Sequence, residues 1–289
     1  MSVNTTTATE LTQEQVQKIL VQPLEAASVF LASGPRVFDT NGSQVRVPKM
    51  GGPIDDPGWT GESELIPTED VDFGEVTLLP STMKSVKVIT RFSNELARQS
   101  VVALDSALRD RLVRDVATKL DKQFLGLLGD GITTPMGMLA WNDTQLVDAT
   151  GSAASLDMLH DAWGKALSAN VDMSRLRWVM RPDTFTSVRK LKDSQNRYQL
   201  QPDPTQDGVF RLLGAPVTIT PNLALDGEDQ STIVLADFSQ IAVARDLAPS
   251  VAVLRERFAD YDEQALRVVA RYDAKPLNPE AVVTIRNVA

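Results

Sequence analysis

The 289-residue sequence has no cysteine and a single histidine. Without thiols there can be no disulfide framework, no Cys-ligated zinc, no iron–sulfur cluster and no cysteine nucleophile. A histidine-dependent catalytic site would have to be built on His160, and no G-x-S-x-G elbow accompanies it. Carboxylates are plentiful, but none cluster at metal-ligand spacing, and the acidic stretch after Gly51 lacks the order of a calcium loop, so no cofactor is expected. Long apolar runs are missing as well: nothing approaches the ~18 residues that span a bilayer. Met1 to Glu10 is polar and Thr-rich, without a basic-then-apolar leader, which points to a soluble protein made in a cytoplasm with no membrane partner. Basic charge is also short, with 29 Lys and Arg against 38 Asp and Glu and a net charge of -9. Affinity for nucleic acid rests on cations that neutralise phosphates, so a nearby nucleic acid would be enclosed by this chain and not gripped by it.

What is present is enough for a large folded core, since 43% of the residues are hydrophobic. Near the N-terminus, Thr12 and Gln15 make a capping-box pair before Val16, Ile19 and Leu20, until Pro23 interrupts. A second amphipathic stretch runs Leu24, Ala27, Leu31 and stops near Gly34 and Pro35. Both are too short to fold alone, which suggests a docking arm. Extended segments follow at Val45 and Val47, at Val76, Leu78 and Leu79, and at Val86-Lys87-Val88. Between Gly51 and Met83 stand Asp55, Asp56, Glu62, Glu64, Glu69, Asp70, Asp72 and Glu75, without one Lys or Arg. So long an acidic interval with few apolar residues does not belong in a compact domain unless it has a partner.

The strongest helix is expected from an N-cap at Ser93 to about Leu128, with Gly129 as its stop. Its stripe of Val101, Leu104, Leu108, Leu112, Val116, Leu120, Phe124 and Leu127 keeps helical spacing, with Arg109, Arg111 and Arg114 among the polar positions. At ~1.5 Å per residue it would be a spine about 50 Å long. Gly129-Asp130-Gly131 comes after this helix, not between a strand and a helix, and so fails the context of a phosphate-binding loop. Further on, helices are expected at Leu156 to Ala169 and Asp183 to Lys192. Strands are expected at Arg177 to Met180, Pro216 to Thr220, Ile233 to Ala236, Ile241 to Ala244, Val251 to Arg255 and Val282 to Ile285. Strands recur without a helix between each pair, so the class is α+β.

Several stretches, taken in order, resemble the HK97-like major capsid proteins of tailed bacteriophages. Leu212-Leu213-Gly214-Ala215-Pro216-Val217, then Pro221-Asn222-Leu223 and Ile233 through Gln240, are similar to one conserved run of that family. So are Trp178 to Asp183 with Leu191 to Ser194 and Arg197-Tyr198, Val268 to Asp273 with the strand after it, and Leu120-Asp121 through Gly137. The likeness covers the chain from about residue 20.

The resemblance implies an N-terminal arm (1–44), an extended β-hairpin or E-loop (45–92) and a peripheral domain with the spine helix (93–140). It also implies an axial domain (141–248) and a return to the peripheral domain (249–289). It implies a non-enzymatic virion protein that assembles with itself into pentamers and hexamers of an icosahedral head around double-stranded DNA. Arm and hairpin would lie on neighbouring subunits. A separate scaffolding protein or none is expected, since Met1 begins directly at the arm; a portal and a decoration protein are further expected partners. The alternative of the same fold is an encapsulin-type compartment shell. Asp55, Asp56, Glu62, Glu64, Glu69 and Asp70 would face cations of a neighbour, with Arg109, Arg111 and Arg114 as candidates. Some relatives cross-link a hairpin Lys to an Asn. Here Lys49 and Lys84 stand only at the hairpin's base and Val251 to Tyr272 holds no Asn, so Glu256, Asp262 or Glu263 would be a base without reactants.

Overall fold

The computed structural model describes residues 24, 27–50, 59, 61–63, 73–95, 104–200, 210–227, 230–246, 250–254 and 256–289. Thr12, Gln15 and the first expected helix lie outside the described residues, as do Asp55, Asp56, Glu64, Glu69, Asp70 and the side chain of Arg109.

In chain order the elements are α1 (Val29–Ala32), β1 (Arg36–Thr40), β2 (Val45–Met50), β3 (Phe73–Leu78), β4 (Val86–Ser93) and α2 (Leu104–Phe124). Then come β5 (Gln145–Asp148), α3 (Leu156–Ser168), β6 (Leu176–Met180), α4 (Pro182–Arg189), β7 (Arg211–Leu212) and β8 (Ala215–Ile219). The chain closes with β9 (Ser231–Asp237), β10 (Ile241–Asp246), β11 (Ser250–Leu254), β12 (Glu263–Ala270), β13 (Tyr272–Pro276) and β14 (Val282–Val288). The mixture is α+β, as the sequence pattern implies.

A six-stranded sheet in the order β5-β14-β9-β6-β8-β7 forms a wall with a core on each face. Side chains alternate across a strand with period two. Accordingly Val234 and Ala236 of β9, Val179 of β6 and Val282 of β14 join the core that holds α2. Their neighbours Ile233, Leu235, Trp178, Met180, Val283 and Ile285 join the opposite core, under α3 and α4. Ser155 caps α3 by accepting from the Met158 N–H, and Leu159, Ala162 and Ala166 are its buried stripe. Trp178 is fully buried, and its indole N–H donates to the Leu212 carbonyl at 3.0 Å.

The stripe on α2 is as expected where side chains are described: Leu112, Val116, Leu120 and Phe124 are buried, with Val113 and Ala117 beside them. The helix ends at Phe124, four residues before the expected end at Leu128, because the returning loop captures its end. The Leu139 N–H donates to the Gly126 carbonyl, the Gly137 N–H to that of Leu128, and the Gln123 amide to those of Leu128 and Pro135. A Cβ on Gly129, whose φ is +116°, would lie 2.0 Å from the Pro135 oxygen, and one on Gly137 2.1 Å from that of Gly126. Only glycine permits this approach. At the other end Ser93 closes β4, and its hydroxyl accepts from the Glu95 N–H, while residues 96–103 lie outside the described part.

Further boundaries differ from the sequence expectation. β4 pairs with β12 and not with the hairpin, so the paired hairpin is β2 against β3, residues 45–78, and residues 86–92 belong to the three-stranded sheet β11-β12-β4. β14 lies between β5 and β9 in the wall, so the last 40 residues do not return together to the α2 side. The strand expected at Ile241 to Ala244 is present as β10 and pairs with β1 and β13, outside the wall. Pro182 at the first turn starts α4, and Lys190 caps it two residues before the expected end at Lys192, which bridges to Tyr198 instead. Strands β1, β5, β7, β12 and β13 had no counterpart in the sequence expectation.

Candidate assembly surface

The hairpin is built from its root. Leu78, Leu79 and Met83 are buried with Ala242 and Ala244 of β10 in a small core, against which Phe38, Val45, Val47 and Leu277 pack in part. That core is thin, and polar groups complete it. The Arg271 guanidinium donates to the carbonyls of Met83 at 3.1 Å and Pro80 at 2.8 Å, and pairs with Asp246 at 3.4 Å. Leu79, held at φ 52°, a costly conformation for a branched side chain, donates its N–H to the Asp273 carboxylate at 2.9 Å. Asp273 is fully buried, and desolvation raises its pKa above the ordinary carboxylate value, outweighing the Leu79 N–H, Lys275, the Ala274 N–H and Arg271.

Beyond the root, β2 and β3 pair only with each other among the described residues. Pro48 sits within β2, which is tolerated because an edge strand has no ladder partner on its outer side. Arg46 meets Glu75 at 3.8 Å with both side chains more than half exposed, an ion pair of about 0–1 kcal/mol. Trp59 is fully solvent-exposed, and Glu62 stands exposed in the turn with Ser63, whose φ is 68°.

The described part of the arm packs on this chain itself, which corrects the expectation that the whole arm lies on a neighbour. Leu24, Phe30 and Leu31 enter the core with α2, and the Phe30 ring lies 4.9 Å from Phe124 and 5.8 Å from Phe238. Asp121 of α2, buried to 1% exposure, accepts from the Ser28 hydroxyl and from the N–H groups of Val29 and Phe30. It thereby satisfies the open N-terminal donors of α1. Next, β1 adds in parallel to β10, locked by the ion pair of Arg245 with Asp39.

The expected spine cations are not brought to the hairpin within one chain. Arg111 is exposed and pairs with Asp115 one turn away at 3.1 Å; Arg114 is exposed; Arg109 lies in α2 with its side chain outside the described residues. The sequence pattern missed a second cationic surface. On the outer face of β11-β12-β4, Lys87, Ile89, Arg91 and Arg267 are all exposed. Its signal was the alternation from Val86 to Arg91, which puts every second residue outside.

His160 is exposed on α3. Asp130 accepts from the N–H groups of Ile132, Thr133 and Thr134 and from the Thr133 hydroxyl, which holds its pKa far below the ordinary value. The Gly129-Asp130-Gly131 motif is thus a turn that carries its own anion. Among the described residues no group of His, Asp and Glu is placed to hold a metal, and no helix is long and apolar enough to cross a membrane.

A family model described as the phage capsid family matches residues 9–287. Among curated proteins, the major capsid protein of Halomonas phage phiHAP-1 is 31% identical over 81 residues, which is 28% of this chain and 13% of that protein's length. Among solved structures, the capsid of a native GTA particle is similar with a TM-score of 0.69 and 21% identity over 91% of this chain and 90% of that one. A chain from Mycobacterium phage Adephagia has a TM-score of 0.70 and 17% identity, over 90% and 89% of the two chains. One from Microbacterium phage Oxtober96 has a TM-score of 0.70 and 16% identity, over 90% of each.

Proposed function

The chain belongs to the phage capsid family, and from that premise we propose that it is the major capsid protein of a tailed-phage head, assembling with itself into pentamers and hexamers of a closed shell around double-stranded DNA. The observation that carries this reading is the hairpin β2–β3, fixed to its own chain at a small root and exposed beyond it. Its other surfaces are available to a neighbour. A closed shell multiplies such modest contacts over many copies. The parts follow: an arm through β1, the hairpin, a peripheral part on α2 with β11-β12-β4, and an axial part on the α3 and α4 side of the wall. Scaffold, portal and decoration proteins are its proposed partners, and its place is the virion, after assembly in the host cytoplasm.

The carboxylates Asp55, Asp56, Glu62, Glu64, Glu69 and Asp70 are held in this reading by cations of a neighbouring copy. Arg109, Arg111 and Arg114 of α2 are one candidate set; the outer face of β11-β12-β4 is another. Electron microscopy of the purified protein, alone and with its scaffold, tests the assembly. Closed particles with fivefold and sixfold capsomers are expected, and a compact monomer under every condition overturns the reading. Particles filled with protein in place of DNA would indicate the compartment alternative. The shell is also proposed to lack covalent cross-links: boiling in denaturing detergent should release one band at 31.6 kDa, and a surviving ladder contradicts it.

A further inference from the structure

The register of β4 on β12 sets Ile89 opposite Arg267, with Lys87 opposite Val269 and Arg91 opposite Ala265. Lys87 and Arg91 are therefore the diagonal neighbours of Arg267, about 7–8 Å away across the strands. The other face of these strands is spent on the core, where Val86, Val88, Leu266 and Val268 pack with α2. On the outer face none of the three cations forms an ion pair among the described residues. Arg91 instead lies over the Phe258 ring at 4.5 Å, with Arg257 5.5 Å from the same ring. Ile89 is 44% exposed in the midst of these cations, and Ala252 pairs with Arg267 on its other side. One carboxylate, Glu263, stands on the same face opposite Ser93 and diagonal to Arg91, in no ion pair among the described residues; three cations this close still outnumber it, and in a chain of net charge -9 this cluster is the exception.

We infer that this face is the docking surface for the acidic hairpin of a second copy of the chain. The inference rests on the assembly reading above and decides between its two cationic surfaces. The interval from Gly51 to Met83 supplies eight carboxylates with no Lys or Arg, and Trp59 within it is fully exposed. An acidic segment with one large aromatic matches a basic face with an apolar centre, the anatomy of an interface hot spot inside a polar rim. The exposed side of α2 matches less well: Arg111 already holds Asp115, and Asp110 adds another negative charge.

The test is assembly of full-length chain with K87E/R91E/R267E, followed by electron microscopy and light scattering. The yield of particles should fall by about tenfold or more, since each exposed pair is weak but recurs in every copy. Adding E62K/E64K/E69K/D70K in the same chain should restore it. If the triple reversal fails to fold by circular dichroism, K87Q/R91Q/R267Q replaces it, and its assembly should fail at lower salt than wild type. To show that a second copy is the occupant, chains carrying only the sheet reversal are mixed with chains carrying only the hairpin reversal. Co-assembly of two populations that are each inert alone is expected. Undiminished assembly of the sheet variant, loss without rescue, or loss confined to R111E/R114E overturns the inference. So do intact shells in which only the DNA content changes, because the cations would then face DNA. Wild-type protein that never associates removes the assembly reading itself and this surface with it, whereas wild-type shells indifferent to the sheet variant overturn the surface alone.

Discussion

The six-stranded wall and the hairpin are both built of strands, yet they are stabilised in different ways. In the wall nearly every residue of β9 and β14 is buried, one face to each core, and every central strand has two neighbours. The hairpin has one strand pair, a small apolar root and a clamp of Arg271 and Asp273. Where apolar area is abundant, burial at about 25 cal/mol per Å² decides the arrangement within one chain. Where it is scarce, hydrogen bonds to backbone carbonyls and N–H groups fix the root, and the remainder presents charge to solvent. The wall teaches what holds a subunit together, and the hairpin what a subunit offers to others.

The contrast should be largest between two tryptophans. Trp178→Ala in the wall should destabilise the isolated chain by about 3–5 kcal/mol in chemical denaturation. Trp59→Ala in the hairpin should change it by less than about 0.5 kcal/mol while lowering particle yield. Equal effects would erase the distinction. Asp121 comes next, because the arm segment is attached like a core element despite its length. Asp121→Ala leaves the Ser28 hydroxyl and the Val29 and Phe30 N–H groups without their acceptor and should cost about 2–3 kcal/mol. Hydrogen exchange should speed at the Val29 and Phe30 amides while β9 stays protected.

At the hairpin root, Asp273→Ala should cost about 1–3 kcal/mol by orphaning the Leu79 N–H, whereas Asp273→Asn keeps an acceptor and removes a buried charge. The pH dependence has a definite sign. The folded state raises this pKa, so the folded chain binds the proton more tightly than the unfolded one. Stability contributed by that proton is present below the ordinary carboxylate value and is lost as pH rises through the raised value. Wild type should therefore lose stability relative to Asp273→Asn as pH rises across that interval; an unchanged difference would show that Asp273 does not titrate there. The smallest effect belongs to Asp130, whose pKa is lowered by donors of its own turn. Its contribution is present above the ordinary carboxylate value and should fade as pH drops below it. Faster exchange of the Thr133 and Thr134 amides in acid, with the wall unaffected, is the measurement.

Much of this fold is legible in the residues. The stripe from Leu112 to Phe124, the capped helix after Ser155 and the apolar strands around Trp178, Ile233 and Val282 carry their periods openly, because one face of each is buried in this chain's own core. The charged residues of β12 and the brevity of β5 hid those strands, since β4 and β14, which pair with them, are distant in sequence, and β7 is only two residues set against the adjacent β8. The acidic interval could be counted from the sequence, but its candidate receptor could not: Lys87, Arg91 and Arg267 become one surface only when β4 lies against β12, with Arg267 set opposite Ile89, 178 residues earlier in the chain. By itself the sequence determined the α+β class, the absence of thiol chemistry and the surplus of negative charge, because these follow from composition and short periods. Tertiary structure alone decided that β4 leaves the hairpin, that β14 enters the wall, and that Asp121 and Asp273 are buried beside the N–H groups they accept from. Those choices depend on which distant strands and helices compete for the same core and the same backbone hydrogen bonds.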